Sequence, residues 1–276
     1  MDKNQAKANS NGTLTVTSHR RIILSKKNAV GTIMLDYSDI NCYDIHFMRQ
    51  FNDAIDSAND DTEIKVVLLK SASARCFCVG ADVKAFLAND TSANKEMIDA
   101  ARSALAKIEA SSKIFIAVIG GHTLGGGLEM VMACDLRFAA EGKYVFGLPE
   151  VKLGLMPGNG GSVRLPRLIG ASRALRLLVT GDNIGPEEAY RIGLVNELCS
   201  CEMIDEEAES YARTLAQGAS LAIAAIKRSV FDGRHLSLQD ALALEDSLVE
   251  PLYNSEDAAE GFLAFKEKRE PRYRGR

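Results

Sequence analysis

The chain has 276 residues, 46% of them hydrophobic, with a formal net charge of −4 and an isoelectric point near 5.7. That is ample for one large domain or a main domain with an appendage, and the acidic balance excludes the basic surface by which nucleic-acid-binding domains announce themselves. No apolar run approaches the ~20 residues needed to cross a bilayer, and the polar start lacks both a secretory hydrophobic region and the arginines of a transit peptide, so a soluble, cytoplasmic protein is expected, with neither nucleic acid nor membrane as partner.

Residues 1–12 read as a disordered tail, and short strands are predicted over 13–16, 22–25 and 30–35. Over 44–58, Phe47, Phe51, Ala54, Ile55 and Ala58 recur at helical spacing and predict a helix; residues 59–62 form a turn cluster after it. The apolar run 64–70 predicts a buried strand, which leads to Gly80-Ala81-Asp82. A Gly-Ala-Asp after a strand can turn a backbone N–H toward a pocket, though the triplet is also ordinary turn chemistry. Polar residues 89–94 predict a loop, and 95–110 a helix.

The stretch around which the chain is organised is 114–134. An apolar run over 114–119 predicts a buried strand, and Gly125, Gly126 and Gly127 then open a segment of good helix formers. Glycines let a ligand oxygen approach the main chain closely, and the first N–H groups of a helix lack internal partners and sit at the positive end of its dipole. Glu129, in that first turn, has two readings: a carboxylate placed for chemistry, or one favoured near a helix N-terminus by electrostatics alone.

Next, 135–139 and 144–147 predict a strand pair around a Glu141-Gly142 turn, followed by 148–154 and the glycine-rich 156–162. Strand pairs followed by a helix recur about three times, a repeat of architecture and not of sequence. From 171 onward the pattern is almost wholly helical. One helix carries Ile204, Ala208, Tyr211, Ala212 and Leu215 on one face, and others fit 220–231, 237–249 and 256–268. The expected organisation is a tail (1–12), a core holding the site (13–200) and a helical C-terminal region (201–276) suited to subunit contacts or to packing on the core.

Several motifs fail on inspection. The 158–163 stretch lacks the last glycine of a dinucleotide fingerprint, and neither glycine cluster is followed by the Lys-Ser or Lys-Thr of a phosphate loop. The Gly170-Ala-Ser172 stretch lacks the final glycine of a nucleophile elbow. His19, His46, His122 and His235 show no ligand spacing, and the two C-x-C pairs, Cys76/Cys78 and Cys199/Cys201, are tighter than a structural zinc site uses. No metal and no dissociable cofactor is expected, and the cysteines read as buried small residues in a reducing compartment. Carboxylates and backbone donors remain as the chemical equipment.

In combination these stretches resemble the crotonase superfamily, specifically the enoyl-CoA hydratases. Phe77-Cys-Val-Gly80-Ala81-Asp82 is similar to that family's F-x-x-G-A-D. Leu124-Gly-Gly-Gly-Leu-Glu129 with Ala133-Cys-Asp135 is similar to L-G-G-G-x-E…A-C-D, and Pro149-Glu150…Leu153-Gly154…Pro157-Gly158-Asn159-Gly160-Gly161 to P-E…L-G…P-G-x-G-G. The ending Glu260-Gly-Phe-Leu-Ala-Phe265-Lys-Glu-Lys268-Arg-Glu-Pro matches the family's C-terminus. The likeness covers about 13–276.

The resemblance implies an α/β fold, a spiral of strand-strand-helix turns with a C-terminal helical trimerisation region, assembled as a homotrimer or homohexamer. It implies an acyl-CoA thioester as substrate, so that coenzyme A arrives as part of the substrate, with its carbonyl oxygen held by the N–H groups of Ala81 and Gly126. Glu129 and Glu150 match the acid/base pair. Arg75 and Lys84 match basic positions near the nucleotide, Ala81 and Asp82 lie in the same binding segment, and Phe265 and Lys268 match a C-terminal patch that reaches a neighbouring subunit's CoA. Residues 36–42 depart from the family's N-R-P-x-x-x-N-A pattern, lacking its Arg and Pro. Leu148, where simple hydratases often have Gln, is closer to the hydratase part of multifunctional fatty-acid oxidation proteins, here expected as a stand-alone enzyme.

The chemistry agrees with that implication. Adding water across a double bond conjugated to a thioester drives charge onto the carbonyl oxygen, and preorganised N–H donors stabilise it by about 3–4 kcal/mol each. Two carboxyl groups can hold the water and move both protons, each role contributing roughly a hundredfold to ten-thousandfold. Close like charges prevent independent titration, and Glu150 is the expected proton donor to carbon with Glu129 the water activator. The first reading is therefore hydration of a trans-2-enoyl-CoA. The alternatives are an enoyl-CoA double-bond isomerase, which can manage with one carboxylate, and a hydratase-like enzyme acting on carrier-protein-bound acyl groups. A non-catalytic binding role, for instance toward RNA, is disfavoured by retention of both glutamates.

Overall fold

The computed structural model describes residues 21–276, so the tail expected over 1–12 and the strand expected over 13–16 lie outside it. The chain opens with an antiparallel hairpin of β1 (Ile22–Lys27) and β2 (Val30–Leu35). Helix α1 (Ile45–Asp60) starts where the Asp44 carboxylate accepts the Phe47 N–H, and it buries Phe47, Phe51, Ala54, Ile55 and Ala58. Strands β3 (Val66–Ser71) and β4 (Cys76–Cys78) follow. Helix α2 (Val83–Ala88) was not anticipated; the Asp82 carboxylate caps it by accepting the Lys84 and Ala85 N–H groups. Helix α3 (Thr91–Ala110) begins inside the expected 89–94 loop, because Asp90 accepts the Ala93 N–H at 2.8 Å and turns polar residues into a first helical turn.

The middle of the chain contains β5 (Ile114–Ile119), β6 (His122–Leu124), α4 (Gly126–Ala133), β7 (Leu136–Ala140) and β8 (Phe146–Gly147). The expected pairing across Glu141-Gly142 is corrected: β7 and β8 belong to different sheets, each paired with strands from other turns of the chain. The segment between them carries the chain from one sheet to the other, pinned by the Tyr144 hydroxyl against the carbonyls of Ile119 (3.1 Å) and Ala140 (2.6 Å). A 3₁₀ turn (Pro149–Leu153) leads to α5 (Gly161–Ile169), α6 (Ala171–Thr180), β9 (Asn183–Ile184), α7 (Pro186–Arg191) and β10 (Glu197–Cys199). The chain ends in α8 (Ile204–Ala216), α9 (Ser220–Gly233), α10 (Leu238–Val249) and α11 (Glu256–Glu267). The region after 171 is helical as read, except that β9 and β10 return to the sheets.

The large sheet runs β1-β2-β3-β5-β7-β10, parallel after the first pair, and the small one β4-β6-β8-β9. β3, β5 and β7 enter the first in the same order in which β4, β6 and β8 enter the second. Each strand-strand-helix turn therefore adds one strand to each sheet, and the chain advances as a spiral.

β3 and β5 are apolar on both faces because both faces are covered. Val67, Leu69, Phe115, Ala117 and Ile119 join the main core with α1 and α3, while Val66, Leu68, Ile116 and Val118 pack against Ile204, Ala208 and Ala212 of α8. Helix α9 is tied in by Lys227, whose ammonium donates to the Ile108 and Lys113 carbonyls and to Asp135 Oδ2 (2.8 Å), with both side chains almost wholly buried.

Candidate active site

The small sheet decides where the chemistry sits. β4, β6 and β8 are parallel neighbours, so the segments leaving their C-terminal ends lie side by side: Val79-Gly80-Ala81, then Gly125-Gly126, then Leu148-Pro149-Glu150. The Gly125 N–H donates to the Gly147 carbonyl at 2.9 Å, joining the glycine turn to the strand that leads into Glu150. Gly125 holds φ at 52°, where a side chain is strained, and starts α4.

Two backbone segments with free donors come close there. Tyr43 N–H donates to the Gly80 carbonyl (2.9 Å) and Asp82 N–H to the Tyr43 carbonyl (2.8 Å). In such a parallel bridge the Ala81 N–H faces away from Tyr43. Gly126 is the first residue of α4, whose N–H has no intrahelical acceptor. A Cβ on Gly80 would lie 2.9 Å from Gly126 N, which puts the two backbones in contact. Neither the Ala81 nor the Gly126 N–H has an acceptor among the described residues. A side chain at 126 is excluded, since its Cβ would meet the Tyr43 hydroxyl at 1.9 Å.

The glutamates occupy contrasting environments. Glu129 is 1% exposed, and its Oε1 accepts the N–H groups of Asn159 and Gly161, each at 2.7 Å. The second of these opens α5, so Glu129 sits at the positive end of that helix as well as in the first turn of its own. Burial raises its proton affinity, and the two N–H bonds work in the opposite direction by favouring the carboxylate. Glu150, on the 3₁₀ turn, has a buried Oε2 with no hydrogen-bond partner among the described residues. Its Oε1 lies 3.1 Å from where a Gly125 Cβ would be. Burial pushes its pKa up to about 7, a backbone hydrogen bond works against that rise, and the charge of Glu129 adds a smaller upward push.

Residues 25–276 match the sequence profile described as enoyl-CoA hydratase/isomerase. The chain belongs to that family. A relative named probable enoyl-CoA hydratase 2, mitochondrial, from Arabidopsis thaliana is 37% identical over 85% of this chain and 78% of its own length. A crotonyl-CoA hydratase from Syntrophomonas wolfei is 33% identical over 93% and 98%. The crystal structure of an enoyl-CoA hydratase from Geobacillus kaustophilus superimposes with a TM-score of 0.91 at 40% identity, covering 94% of this chain and 98% of that one. The fold is thus the crotonase spiral that the sequence resemblance implied.

Of the residues singled out in the sequence, the fold brings Ala81, Gly126, Glu129 and Glu150 close together around Tyr43 and Gly125. Asp82 follows Ala81 with its carboxylate already engaged as the cap of α2. Arg75 and Lys84 are exposed, at the start of β4 and in the first turn of α2. Phe265 is 86% exposed on α11, and Lys268 ends that helix at a φ of 55°; no hydrogen bond among the described residues joins either to Glu129 or Glu150. Leu148 is buried in the main core. Sequence reasoning missed Tyr43 and Asn159, whose side chains meet at 3.0 Å beside Gly126 and Glu129. Asn159 stood unremarked inside a quoted motif. Tyr43 had no local signal, being brought to the pocket by a bridge to a distant segment.

Proposed function

We propose that this protein reversibly hydrates a trans-2-enoyl-CoA, with the thioester carbonyl oxygen accepting the Ala81 and Gly126 N–H groups. The reading rests on one observation: two carboxyl groups in unlike environments stand beside a pair of adjoining backbone donors that have no acceptor among the described residues. As charge develops on the carbonyl oxygen, both donors strengthen their bonds to it without reorganising. Burial raises the proton affinity of Glu129 and the N–H bonds to Oε1 temper the rise, which suits its carboxylate to draw a proton from water. Glu150, with a pKa near 7 and no donor to its Oε2, retains a proton for the neighbouring carbon. The reverse reaction exchanges the roles.

Arg75 and Lys84 are assigned to the nucleotide phosphates, and Phe265 with Lys268 to the CoA of a neighbouring subunit. The apolar side chains left exposed on α10 and α11, Leu238 and Phe262 among them, are assigned to the interface of a homotrimer or a dimer of trimers.

The test is loss of the enoyl-thioester absorbance of crotonyl-CoA. Glu129→Gln and Glu150→Gln are each expected to lower kcat by about a hundredfold to ten-thousandfold. Undiminished hydration by either variant would refute the paired roles. No hydration by the unaltered protein, together with migration of an isolated double bond in a 3-enoyl-CoA, would replace hydration with isomerisation.

A further inference from the structure

Asn159 meets Glu129 through both its backbone and its carboxamide, whose hydrogen bond favours the carboxylate. Its main-chain N–H donates to Glu129 Oε1 at 2.7 Å, and its side-chain Nδ2 donates to the Tyr43 hydroxyl at 3.0 Å. The residue is 7% exposed, yet its Oδ1 is buried with no partner among the described residues. The only other buried side-chain atom in that condition among them is Glu150 Oε2. A buried carboxamide oxygen without a partner costs about 1–3 kcal/mol, and both such atoms belong to residues that adjoin Tyr43 and Glu129. Turning the carboxamide over would set its oxygen against the Glu129 carboxylate, so the orientation with Nδ2 toward Tyr43 and Glu129 is the one the surroundings select, and Oδ1 is the open atom.

Tyr43 is placed to hold that carboxamide still. It is 3% exposed, its ring packs on Phe47 with centroids 6.3 Å apart, and its hydroxyl abuts the Cα of Gly126. The loop carrying Asn159 is fixed in turn by Arg164, which donates to the Asn159 carbonyl at 2.6 Å and is held by Glu109. An open polar atom on so constrained a side chain is preorganised for a small polar ligand next to the glutamates.

Building on the hydratase reading, we propose that the Asn159 carboxamide contacts the reacting water, or the hydroxyl it becomes, and that Tyr43 is the positioning residue that fixes the carboxamide. A water held by two carboxyl groups has one further hydrogen-bonding direction to satisfy. A group that fills it orients the oxygen lone pair toward carbon 3 of the enoyl chain. The contact matters most while the oxygen–carbon bond forms, so it acts on kcat more than on binding of the CoA thioester.

Two variants isolate the effect. Asn159→Ala keeps the N–H that bonds Glu129 but removes the carboxamide's own bond to it, and Tyr43→Phe keeps the ring against Phe47. The pH profile of kcat is therefore read alongside: an unmoved acidic limb is expected, and one shifted upward far enough to account for the loss would place the effect on Glu129 and overturn the proposal. With crotonyl-CoA, Asn159→Ala is expected to lose about tenfold in kcat and Tyr43→Phe about threefold, in line with one neutral hydrogen bond. Affinity for the unreactive butyryl-CoA should stay within twofold in both, and melting should confirm that both fold. The double variant should lose no more than Asn159→Ala alone, because Tyr43 acts through that carboxamide. Unchanged kcat in Asn159→Ala, losses that multiply in the double variant, or equal losses in kcat/KM and in butyryl-CoA affinity would each overturn the proposal while leaving the hydratase reading intact. Absence of crotonyl-CoA hydration by the unaltered protein would overturn both.

Discussion

Replacing Glu150 by Gln should make the protein more stable at alkaline pH while abolishing most of its activity. The carboxyl's proton affinity is raised from 4.5 to about 7, chiefly by burial of a group whose Oε2 has no donor. Because the folded state holds this proton more tightly than the unfolded chain, the group's contribution to stability is complete below pH 4.5 and is lost as the pH rises through about 7. At ~1.36 kcal/mol per pH unit the ceiling on that loss is about 3.4 kcal/mol. Glu150 is only half-buried, so solvent screening reduces the figure to about 1–2 kcal/mol. Glutamine has nearly the same shape and cannot ionise, so it escapes the penalty. Thermal melts of both proteins at equal concentration should nearly coincide at pH 4.5–5, and at pH 8 the variant should melt about 2–5 °C higher. A variant no more stable at pH 8 than at pH 5, relative to the unaltered protein, would refute the assignment of a desolvated carboxyl at this position.

Four further outcomes follow from the same geometry. Because Glu150 must hold its proton, kcat/KM for hydration should decline with rising pH above about 7, and a flat profile to pH 9 would remove it as the donor. Gly126→Ala should cost about 1–3 kcal/mol of stability and most of the activity, since its Cβ would meet the Tyr43 hydroxyl at 1.9 Å, whereas Gly120→Ala, with nothing within 4 Å, should be silent in a denaturant titration and in turnover. Lys227→Ala should lose about 3 kcal/mol in urea unfolding, because it strands the carboxylate of Asp135 in the interior; a loss under about 1 kcal/mol would show the pair to be hydrated. Phe262→Asp, at a position 76% exposed on α11, should shift sedimentation toward smaller species if that face joins subunits, and should leave it unchanged otherwise.

Much of the site was legible because its residues are local. The apolar run of β5 and the glycines after β6, with Glu129 in the first turn that follows, form a strand, a turn and a helix start within a few residues, and backbone sterics dictate that sequence of elements. The helical face of α1 was readable for the same reason, since the core selects the residues that recur at its period. Caps were harder. Asp82 and Asp90 read as loop residues, yet each accepts N–H groups just ahead of it and begins a helix. Whether a polar cluster is a loop or a capped turn depends on what the following residues can bury.

The sequence by itself determined the apolar strands, the glycine turn and the motifs that place this chain in its family, because each depends on neighbours in the chain. Only the tertiary structure decided which segments share a pocket. Parallel pairing of β4, β6 and β8 brings Ala81, Gly126 and Glu150 together from three separate turns of the spiral, and it keeps β7 and β8 from pairing as a local hairpin. The loop before α5 gives Glu129 its two N–H donors, and the Tyr43 bridge to Ala81 brings a hydroxyl against Gly126. These are long-range contacts fixed by packing and by the pairing of backbone groups, and no local pattern encodes them. The unlike surroundings of Glu129 and Glu150, and so their unlike readiness to hold a proton, belong to the folded molecule alone.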